Sequence, residues 1–475
     1  FFANDMTIFI NARMLTHDKG FPICWNNAII QVRGDSMKKV DVVIVGSGIA
    51  GLRAGITCLE KGLENVIILE KMAKPGGNTS LSDGGVAAPN TDLQRKRGIK
   101  DSVALLKRDM QRAGKALNDE TLVEVVANRA LEAFEWTKSI GVKYMDRVDI
   151  FGGHSVARCY TPTTLSGRTM IEKAYERFLA LGGVVKTKTY VKDLMKNAQG
   201  HVIGVKAHTP YAFKKPLPEN TLFYRAEKGV ILTSGGFSAD VSFLRTHTPE
   251  LSQSIDTTNI ASATAEVLRS AMESGADARD LDQFSLAPWT SPDEKGFGDG
   301  PKFADYIALS KGILVNPDTS ERFVNELADR NTISHAILSI GRPVIAIADE
   351  YAVKHAGMNI DKALEKGVVR TFDTLESLSE HYKADPAKLT STVKRFNEAV
   401  ESGKKDAFDK PIKDATIIAR APFYAMWIWP KVHYTMGGIR IDKHARVVKK
   451  DGTLMKGLYA AGEVTGGVHG AARLG

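Results

Sequence analysis

The apolar positions near the start of the chain predict a strand, a helix and a second strand. Residues 40–45 are a compact β-branched run that ends at Gly46, which is typical of a strand buried on both faces. Residues 49–61 carry apolar side chains at helical spacing, and residues 66–69 are a second apolar run. This order predicts a βαβ unit with a parallel sheet.

Later segments continue the alternation of strands and helices. Asn118 or Asp119 is a candidate cap for a helix that runs to about residue 140. Residues 202–208 and 230–233 have the pattern of strands, and the second of them leads into a glycine pair. Residues 387–401 have helical spacing.

Glycine clusters occur in the first and last parts of the chain and are scarce between them, which predicts an inserted domain. Between residues 281 and 430 the glycine clusters are replaced by predicted helices that are separated by aromatic residues and prolines. The glycine clusters return from residue 431. We therefore predict one domain formed by residues 37–280 and 431–475. A second domain, inserted into the first, is predicted at residues 281–430.

Residues 1–36 do not fit this plan. Phe1 is not an initiator, and polar residues break the apolar stretches, so no signal peptide is predicted. Met37 directly precedes the first strand and is the expected natural start, which makes 1–36 a leader of doubtful origin. The alternative is a genuine extension that packs on the surface. No apolar run approaches the ~18 residues of a spanning helix, so we predict a soluble protein, and both a bacterial-type cytoplasm and a periplasm stay open.

Composition narrows the class of protein without deciding it. The chain has 475 residues, of which 43% are hydrophobic and 25% charged, and this ordinary usage excludes disordered and fibrous classes. Three cysteines are too few for a disulfide framework or a zinc cluster, and no metal site is predicted. The net charge of +9 fits nucleic acid, a membrane surface or small anions. The basic runs lack interleaved aromatic residues, so nucleic acid is disfavoured as a partner.

The first glycine cluster fits a dinucleotide-binding turn. Residues 46–51 have the pattern G-x-G-x-x-G, directly after a predicted strand and at the start of a helix. The first glycine permits the tight turn, the second lets a pyrophosphate approach, and the third lets the helix pack on the strand. An acid at the end of the second strand is placed to hold a ribose hydroxyl. The predicted cofactor-binding residues here are Gly46, Gly48, Ile49, Ala50, Gly51, Glu70 and Lys71.

A second glycine-rich loop follows the second strand. Residues 75–80 and 82–86 combine two glycine pairs with small hydroxyl side chains. Such a loop lets backbone N–H groups approach a flat, polar ring system, and a flexible surface loop is the alternative. The candidate cofactor-binding residues here are Gly77, Asn78, Thr79, Ser82, Gly84 and Gly85.

With these loops, the sequence resembles the fumarate reductase and succinate dehydrogenase flavoprotein family, in particular its soluble flavocytochrome c-type branch. The resemblance spans residues 40–475 and rests on six motifs in family order. The motifs are the segments 46–51, 76–80, 233–237, 322–326, 432–438 and 461–470. The resemblance implies an α/β fold in which a Rossmann-like FAD-binding domain is interrupted by an inserted α+β capping (clamp) domain.

The resemblance also implies the cofactor and its mode of binding. It implies FAD, with Ser234, Gly235, Gly462 and Glu463 in the cofactor-binding set, Glu463 matching the acid that binds the ribityl chain. Asn78 stands where membrane-bound members carry a histidine that tethers the flavin, which implies non-covalent FAD. Since the chain lacks haem motifs, the electron donor is expected to be a separate cytochrome c, flavin domain or other reductant. The family continues beyond residue 475, so the FAD-binding domain is expected to be truncated at its C-terminus.

The family's substrate site can be carried over in part. An arginine that protonates the substrate matches Arg330. Arginine is a poor acid because its pKa exceeds ~12, so it needs burial and a carboxylate relay. Asp305 aligns with the relay acid, but Ala308 stands where the family has the relay arginine. His433 and Arg473 match the pair that clamps one substrate carboxylate and polarises the adjacent double bond.

The other end of the site departs from the family. Fumarate reducers hold the second carboxylate with a histidine and a threonine, which align with Ala287 and Ala304. Loss of both donors leaves a second carboxylate buried and unpaired, so fumarate is disfavoured. Trp289, Phe303 and Tyr306 instead indicate an apolar or aromatic distal wall.

We therefore predict an FAD-dependent oxidoreductase acting on CH–CH bonds, in anaerobic electron transport. It is expected to reduce a small 2-enoate, of the acrylate, methacrylate or cinnamate type, by hydride transfer from flavin N5 and protonation by Arg330. Three alternatives stay open: a fumarate reductase proper, a flavin dehydrogenase of the ketosteroid type, and a non-catalytic electron-transfer subunit. The ketosteroid enzymes rely on tyrosines and lack the histidine and arginine set.

Overall fold

The computed structural model describes residues 22–25, 28–31, 37–253, 255–403, 406–412 and 415–474. Most of the predicted leader lies outside these residues, apart from two short strands at Pro22–Trp25 and Ala28–Gln31. Within the described ranges, no helix is both long and apolar enough to cross a membrane.

The chain divides into two compact units. Unit 1 comprises the chain up to Gln253, together with Ile260–Phe284 and Thr435–Gly475, and unit 2 comprises Ser254–Asn259 and Ser285–Tyr434. Most of the predicted insertion at residues 281–430 lies within unit 2. The segment Ser254–Asn259 also belongs to unit 2, which the sequence did not indicate.

The strands, in chain order, fall into three groups. Those before the insertion are β1 (Pro22–Trp25), β2 (Ala28–Gln31), β3 (Met37–Val45), β4 (Val66–Leu69), β5 (Val86–Ala87), β6 (Cys159–Tyr160), β7 (Val184–Lys186), β8 (Tyr190–Lys196), β9 (Val202–His208), β10 (Thr221–Leu232) and β11 (Ala278–Arg279). Those at and within the insertion are β12 (Phe284–Ala287), β13 (Ile313–Asn316), β14 (Glu321–Arg322), β15 (Val344–Asp349), β16 (Arg370–Phe372), β17 (Phe423–Ile428) and β18 (Lys431–Thr435). The last are β19 (Gly438–Arg440), β20 (Arg446–Val448), β21 (Leu454–Ala460) and β22 (Thr465–Gly466).

The helices divide in the same way. Those of unit 1 are α1 (Ile49–Glu60), α2 (Asp92–Lys96), α3 (Val103–Ala113), α4 (Glu120–Ser139), α5 (Gly167–Ala180), α6 (Val241–His247) and α7 (Glu266–Glu273). Those of unit 2 are α8 (Pro301–Phe303), α9 (Arg330–Ile340), α10 (Glu350–His355), α11 (Asp361–Glu365), α12 (Leu375–Tyr382) and α13 (Pro386–Ser402). A 3-10 helix at Gly77–Leu81 and a π-helix at Ala304–Leu309 complete the set.

Unit 1 is built on a ten-stranded sheet in the order β2-β1-β8-β9-β10-β3-β4-β7, with β21 beside β10 and β20 beside β21. Strands β7, β4, β3, β10 and β21 are mutually parallel. The buried strand residues Ile44 and Ile68 pack against α1 and α5 through Leu52, Ile56 and Phe178. The predicted βαβ unit is present, and the carboxyl ends of the parallel strands meet at one edge of the sheet.

Unit 2 is built on an antiparallel sheet that the sequence did not reveal strand by strand. Its five strands run β14-β13-β15-β17-β16. Alternate residues face two separate cores: Ile313 and Ile345 pack with α12 and α13, whereas Leu314 and Ala346 pack with α9 and the π-helix. Because helices cover both faces, strands such as β15 are continuously buried and lack the polar alternation that identifies a half-exposed strand.

A buried ion-pair network holds the segment that leads to α9. Arg322 donates to both carboxylate oxygens of Glu326, at 2.8 and 2.7 Å, and also pairs with Asp406. Burial opposes its charge, but the two carboxylates outweigh this effect and raise the pKa of Arg322 above its ordinary value. A bidentate pair of this kind has a fixed geometry. The motif at residues 322–326 therefore positions the start of α9, where Arg330 lies.

Candidate active site

The carboxyl ends of three parallel strands lie together in unit 1. The amide of Thr233, just after β10, donates to the carbonyl of Val45 at 2.8 Å, and the amide of Ala461, just after β21, donates to the carbonyl of Leu232 at 2.9 Å. The glycine-rich segments that follow β3, β10 and β21 are therefore neighbours. In open α/β sheets this edge is where ligands bind.

The turn between β3 and α1 requires glycine at its first and third positions. Gly46 has a φ of +104°, and a Cβ there would lie 2.5 Å from the carbonyl oxygen of Thr233. A Cβ at Gly51 would lie 2.0 Å from the carbonyl oxygen of Gly46. Around Gly48, in contrast, the nearest atom to such a Cβ is the Thr79 hydroxyl oxygen at 4.0 Å. The turn thus leaves open space beside its second glycine, at the N-terminus of α1, where an anion is favoured.

Ile49 and Ala50, the other two predicted residues of the turn, begin α1. The amide of Ile49 donates to Thr79 Oγ1 at 3.4 Å. This bond joins the turn to the second glycine-rich loop.

Glu70 directly follows β4 and is only 8% exposed. Its Oε2 accepts from the amide and the hydroxyl of Ser47, at 3.1 and 2.6 Å, and its Oε1 accepts from the amide of Met72 at 2.8 Å. The carboxylate is therefore held across the glycine turn. A carboxylate has about four lone-pair sites, so these bonds leave capacity for a ligand hydroxyl.

An open pocket borders Glu70 in unit 1. Four residues predicted to bind the cofactor line it, namely Gly46, Glu70, Lys71 and Ser234. Residues that sequence reasoning missed, Tyr190, Thr264 and Glu266 among them, also line it. Lys71 donates to the Thr264 hydroxyl at 2.7 Å and pairs with Glu266 at 3.1 Å. The ammonium group is therefore fixed at the pocket wall.

The second glycine-rich loop contains the 3-10 helix Gly77–Leu81. Asn78 Oδ1 accepts from the amide of Ile260 at 3.0 Å, so its amide group ties two segments of unit 1 together. Ser82 donates to the carbonyl of Thr79 at 2.9 Å and accepts from the amide of Gly84 at 3.2 Å.

The glycines of this loop fall into two kinds. A Cβ at Gly84 would lie 2.9 Å from the backbone of Gly167, so this position is packed. A Cβ at Gly77 would meet no atom within 4 Å, and one at Gly85 would have its nearest neighbour at 3.9 Å. The same openness is found at Gly235, after β10. The open positions leave backbone accessible to a ligand.

Charged residues after β21 form a third part of the site in unit 1. Gly462 precedes Glu463, whose Oε1 accepts from the amide of Thr435 at 3.1 Å and from its hydroxyl at 3.3 Å. Burial raises the pKa of Glu463, and the nearby charge of Arg473 opposes that shift. Burial, reinforced by Arg473, lowers the pKa of His469 to about 3, so this imidazole is neutral at physiological pH.

Unit 2 brings Arg330 and His433 to one tryptophan. Arg330 is the first residue of α9, whose N-cap is Asp329. Its guanidinium carbon lies 5.2 Å from the centre of the Trp289 ring, within cation–π range. The His433 ring meets the same indole edge-to-face, with the ring centres 6.0 Å apart. We define these three residues as the indole cluster.

Two residues of the segment 256–259 also hold His433 through hydrogen bonds. Thr258 Oγ1 lies 2.7 Å from His433 Nδ1, and Asn259 Nδ2 donates to the His433 carbonyl at 2.8 Å. The sequence offered only a run of small polar residues here, and nothing in it indicated a partner 175 positions later.

The remaining substrate-site predictions are divided between the units. Asp305 is partly exposed on the π-helix of unit 2, whereas Arg473 lies in unit 1. Ala287, Ala304 and Ala308 are all fully buried. These three alanines are therefore core residues, and no polar side chain stands at their positions.

The predicted distal wall needs a correction. Phe303 has no exposed surface and belongs to the core of unit 2 with Ile307 and Met426, so it does not line an open wall. Tyr306, in contrast, is 39% exposed. Phe303 ends α8 and Tyr306 lies in the π-helix that follows, and the different burial of the two rings cannot be read from the sequence pattern alone. Of the three predicted rings, Trp289 is the one that contacts Arg330 and His433.

Comparison with known proteins assigns the class. Residues 41–475 match the family described as FAD binding domain. The chain is 35% identical to the acrylate reductase flavoprotein subunit of Shewanella woodyi, over 92% of this chain and 88% of that protein. It is 34% identical to a fumarate reductase (cytochrome) of Shewanella frigidimarina, over 92% of this chain and 74% of that protein. The chain belongs to the fumarate reductase flavoprotein family.

The structural comparison agrees. A flavocytochrome c3 fumarate reductase in its open conformation matches with a TM-score of 0.77 at 28% identity, over 92% of this chain and 75% of that one. The predicted family, the α/β fold class, FAD as cofactor and the oxidoreductase class are confirmed. Non-covalent attachment, the domain boundaries and the roles of single residues stay predictions.

The residues of unit 1 fit FAD. The glycine turn leaves space for a pyrophosphate at the start of α1, and the pocket beside Glu70 is open at the same edge. Backbone is accessible at Gly77, Gly85 and Gly235 for the rest of the cofactor. Bound to this chain, FAD would accept and donate a hydride, and the residues of unit 1 would hold the cofactor.

Proposed function

We propose that this chain reduces the C=C bond of a small 2-enoate that carries one carboxylate. FAD held by the glycine turn and Glu70 of unit 1 would supply the hydride for the β-carbon, and the chain supplies a proton to the α-carbon. The π bond is lost, two C–H bonds form, and the product is the saturated acid. The electrons come from a separate donor that re-reduces the flavin.

The indole cluster is the observation that carries this proposal. It combines a permanent cation, an imidazole and an apolar ring within a few ångströms. Arg330 is the proposed acid, and His433 the proposed donor to the substrate carboxylate. A carboxylate bound by donors draws electron density from the adjacent double bond, which favours hydride addition at the β-carbon.

Arg330 has surroundings in which an arginine can give up a proton. Its side chain is half-buried, and its charge faces an aromatic ring instead of bulk water. A carbanion forming at the α-carbon is a far stronger base than water, so proton transfer to it is downhill. We assign Asp305 to the return of the proton to Arg330, with Ala308 offering no arginine for a relay.

Arg473 is the proposed second donor to the same substrate carboxylate. A guanidinium holds a carboxylate through two parallel bonds. Arg473 lies in unit 1 with Glu463 and His469, and its positive charge acts to lower the pKa of both. Because His469 is neutral at physiological pH, it adds no competing positive charge there.

The proposed preference for a monocarboxylate rests on the two buried alanines. Ala287 and Ala304 are fully buried and carry no hydrogen-bond donor in their side chains. Where the fumarate reducers of the family place a histidine and a threonine, these side chains supply no donor, so a second carboxylate bound there would lose its hydration without replacement, at a cost of several kcal/mol. The name of the relative from Shewanella woodyi, an acrylate reductase, supports the same preference.

Steady-state kinetics with a panel of enoates tests this function. The FAD-loaded chain, supplied with a dithionite-reduced dye as donor, is expected to reduce at least one of acrylate, methacrylate and cinnamate. The kcat/KM for the best of these should exceed that for fumarate by about 100-fold or more, since an unpaired buried carboxylate costs that much. Fumarate as the best substrate would contradict the assignment of Ala287 and Ala304, and no turnover of any enoate would leave an electron-transfer subunit as the better account.

A further inference from the structure

The segment 256–259 lies along β18 and is held there by several hydrogen bonds. The amide of Val432 donates to the Asp256 carbonyl, and the amide of Thr258 donates to the Val432 carbonyl, both at 2.9 Å. Thr257 forms a parallel bridge with Val432, and its hydroxyl donates to the same carbonyl at 2.9 Å. The register brings the side chain of Thr258 to the imidazole of His433.

We propose that Thr258 is a positioning residue that presents His433 Nε2–H to the substrate carboxylate. The proposal rests on the function above, because it requires that His433 binds the carboxylate. Thr258 is 4% exposed, so its hydroxyl has little access to water. Its oxygen lies 2.7 Å from His433 Nδ1 and 3.5 Å from the Val432 carbonyl.

These two distances assign the hydroxyl proton. A threonine hydroxyl has one proton to donate, and a separation of 2.7 Å permits a strong bond where 3.5 Å is at the limit. The Val432 carbonyl also accepts already from the Thr258 amide and the Thr257 hydroxyl, so we assign the proton to a bond with Nδ1, which then acts as an acceptor. In a neutral imidazole the other nitrogen must carry the hydrogen, so Nε2 is a donor.

The ring is fixed in orientation as well as in tautomer. The Trp289 indole meets it edge-to-face, and Asn259 fixes the His433 backbone through the carbonyl. Lys431, two positions earlier on β18, pairs with Asp256 at 3.2 Å, so that charge is engaged with the same segment. With Nδ1 bound to Thr258 and the ring plane set, Nε2 is the nitrogen that we assign to the substrate carboxylate. Preorganised donors of this kind bind without reorganisation.

The test compares Thr258→Val with two other threonine variants in the full FAD-loaded chain. Thr258→Val removes the hydroxyl at nearly constant volume, and acrylate, or the best enoate from the panel, is the probe. We expect KM to rise about tenfold with kcat changed by less than about threefold, as for a lost binding contact. Thr258→Ser keeps the hydroxyl and is expected to return KM to within about twofold of the wild type.

Thr257→Val is the matched control. Thr257 donates to Val432 and accepts from both nitrogens of Asn259, at 3.1 and 3.2 Å, so this change removes more bonds than Thr258→Val does. If KM followed general disruption of the segment, Thr257→Val would raise it more. We expect the reverse, and an equal or larger rise in KM for Thr257→Val overturns the positioning role.

His433→Asn separates this inference from the proposed function. A KM that rises in His433→Asn but not in Thr258→Val overturns the positioning role alone. A KM that is unchanged in His433→Asn overturns the role of His433 in binding, and with it the proposed site. In the His433→Asn background, Thr258→Val should add no further rise, because the two residues act through one contact.

Discussion

Arg330→Gln is expected to lower kcat by about 10³ while the protein keeps its FAD. The glutamine has no proton to give to the α-carbon, and general acids contribute 10²–10⁴ to rate in enzymes. Arg330 lies in unit 2 at the start of α9, whereas the predicted FAD residues lie in unit 1. The loss should therefore appear in turnover with the flavin spectrum unchanged.

The matched control for this variant is Arg420→Gln. Arg420 is an exposed arginine of unit 2 whose guanidinium also lies over an aromatic ring, at 5.0 Å from the centre of Tyr351. Arg420→Gln removes the same charge and the same kind of contact outside the proposed site, so this variant should keep kcat within about twofold of the wild type. Steady-state kinetics with the best enoate checks both. An Arg330→Gln enzyme that kept more than about a tenth of the wild-type kcat would exclude Arg330 as the acid.

Gly51→Val is expected to abolish FAD binding and to lower the melting temperature. A Cβ at this position would lie 2.0 Å from the Gly46 carbonyl oxygen and 2.8 Å from the Thr233 hydroxyl. Both groups are held by hydrogen bonds: the Gly46 amide donates to the Leu69 carbonyl, and the Thr233 hydroxyl donates to the carbonyls of Val45 and Gly46. The valine must push α1 away from the sheet, which disrupts the turn that faces the pyrophosphate. Flavin absorbance after purification and a thermal melt measure the two effects.

Two further glycine variants separate the loss of cofactor from the loss of fold. Gly48→Ala meets no atom closer than 4.0 Å, so the fold should survive while FAD binds more weakly. Gly152→Val introduces the same side chain where no atom lies within 4 Å of the new Cβ, and it should change neither. Full FAD content in Gly51→Val would show that the glycine turn does not hold the cofactor.

The local parts of this fold could be predicted from the sequence because local physics determines them. Strand β4 and strand β9 have the predicted bounds, and α1 and α13 differ from prediction by a residue at their ends. Asp119 caps α4 as the sequence indicated. In each case a run of apolar residues, or a capping side chain beside a periodic segment, carries the signal in a few adjacent positions.

The sequence could predict which residues belong to the candidate site, but not which of them contact one another. The glycine turn is contiguous, so Gly46 and Gly51 could be identified with their roles. The bond between Thr258 and His433 joins positions 175 apart, and Trp289 contacts Arg330 across the fold. Phe303, the last residue of α8, is fully buried, whereas Tyr306, three positions later in the π-helix, is exposed. Such contacts depend on tertiary packing, which spacing alone does not specify.

The central claim is that a monocarboxylic enoate accepts the hydride of the bound flavin. The most direct measurement is an anaerobic stopped-flow experiment in which the reduced, FAD-loaded chain is mixed with one enoate at a time. We predict that acrylate, methacrylate or cinnamate restores the visible absorbance of oxidised FAD about 100-fold or more faster than fumarate does, and that each equivalent of flavin yields one equivalent of saturated acid. Reoxidation by no enoate, or fastest reoxidation by fumarate, would contradict the claim.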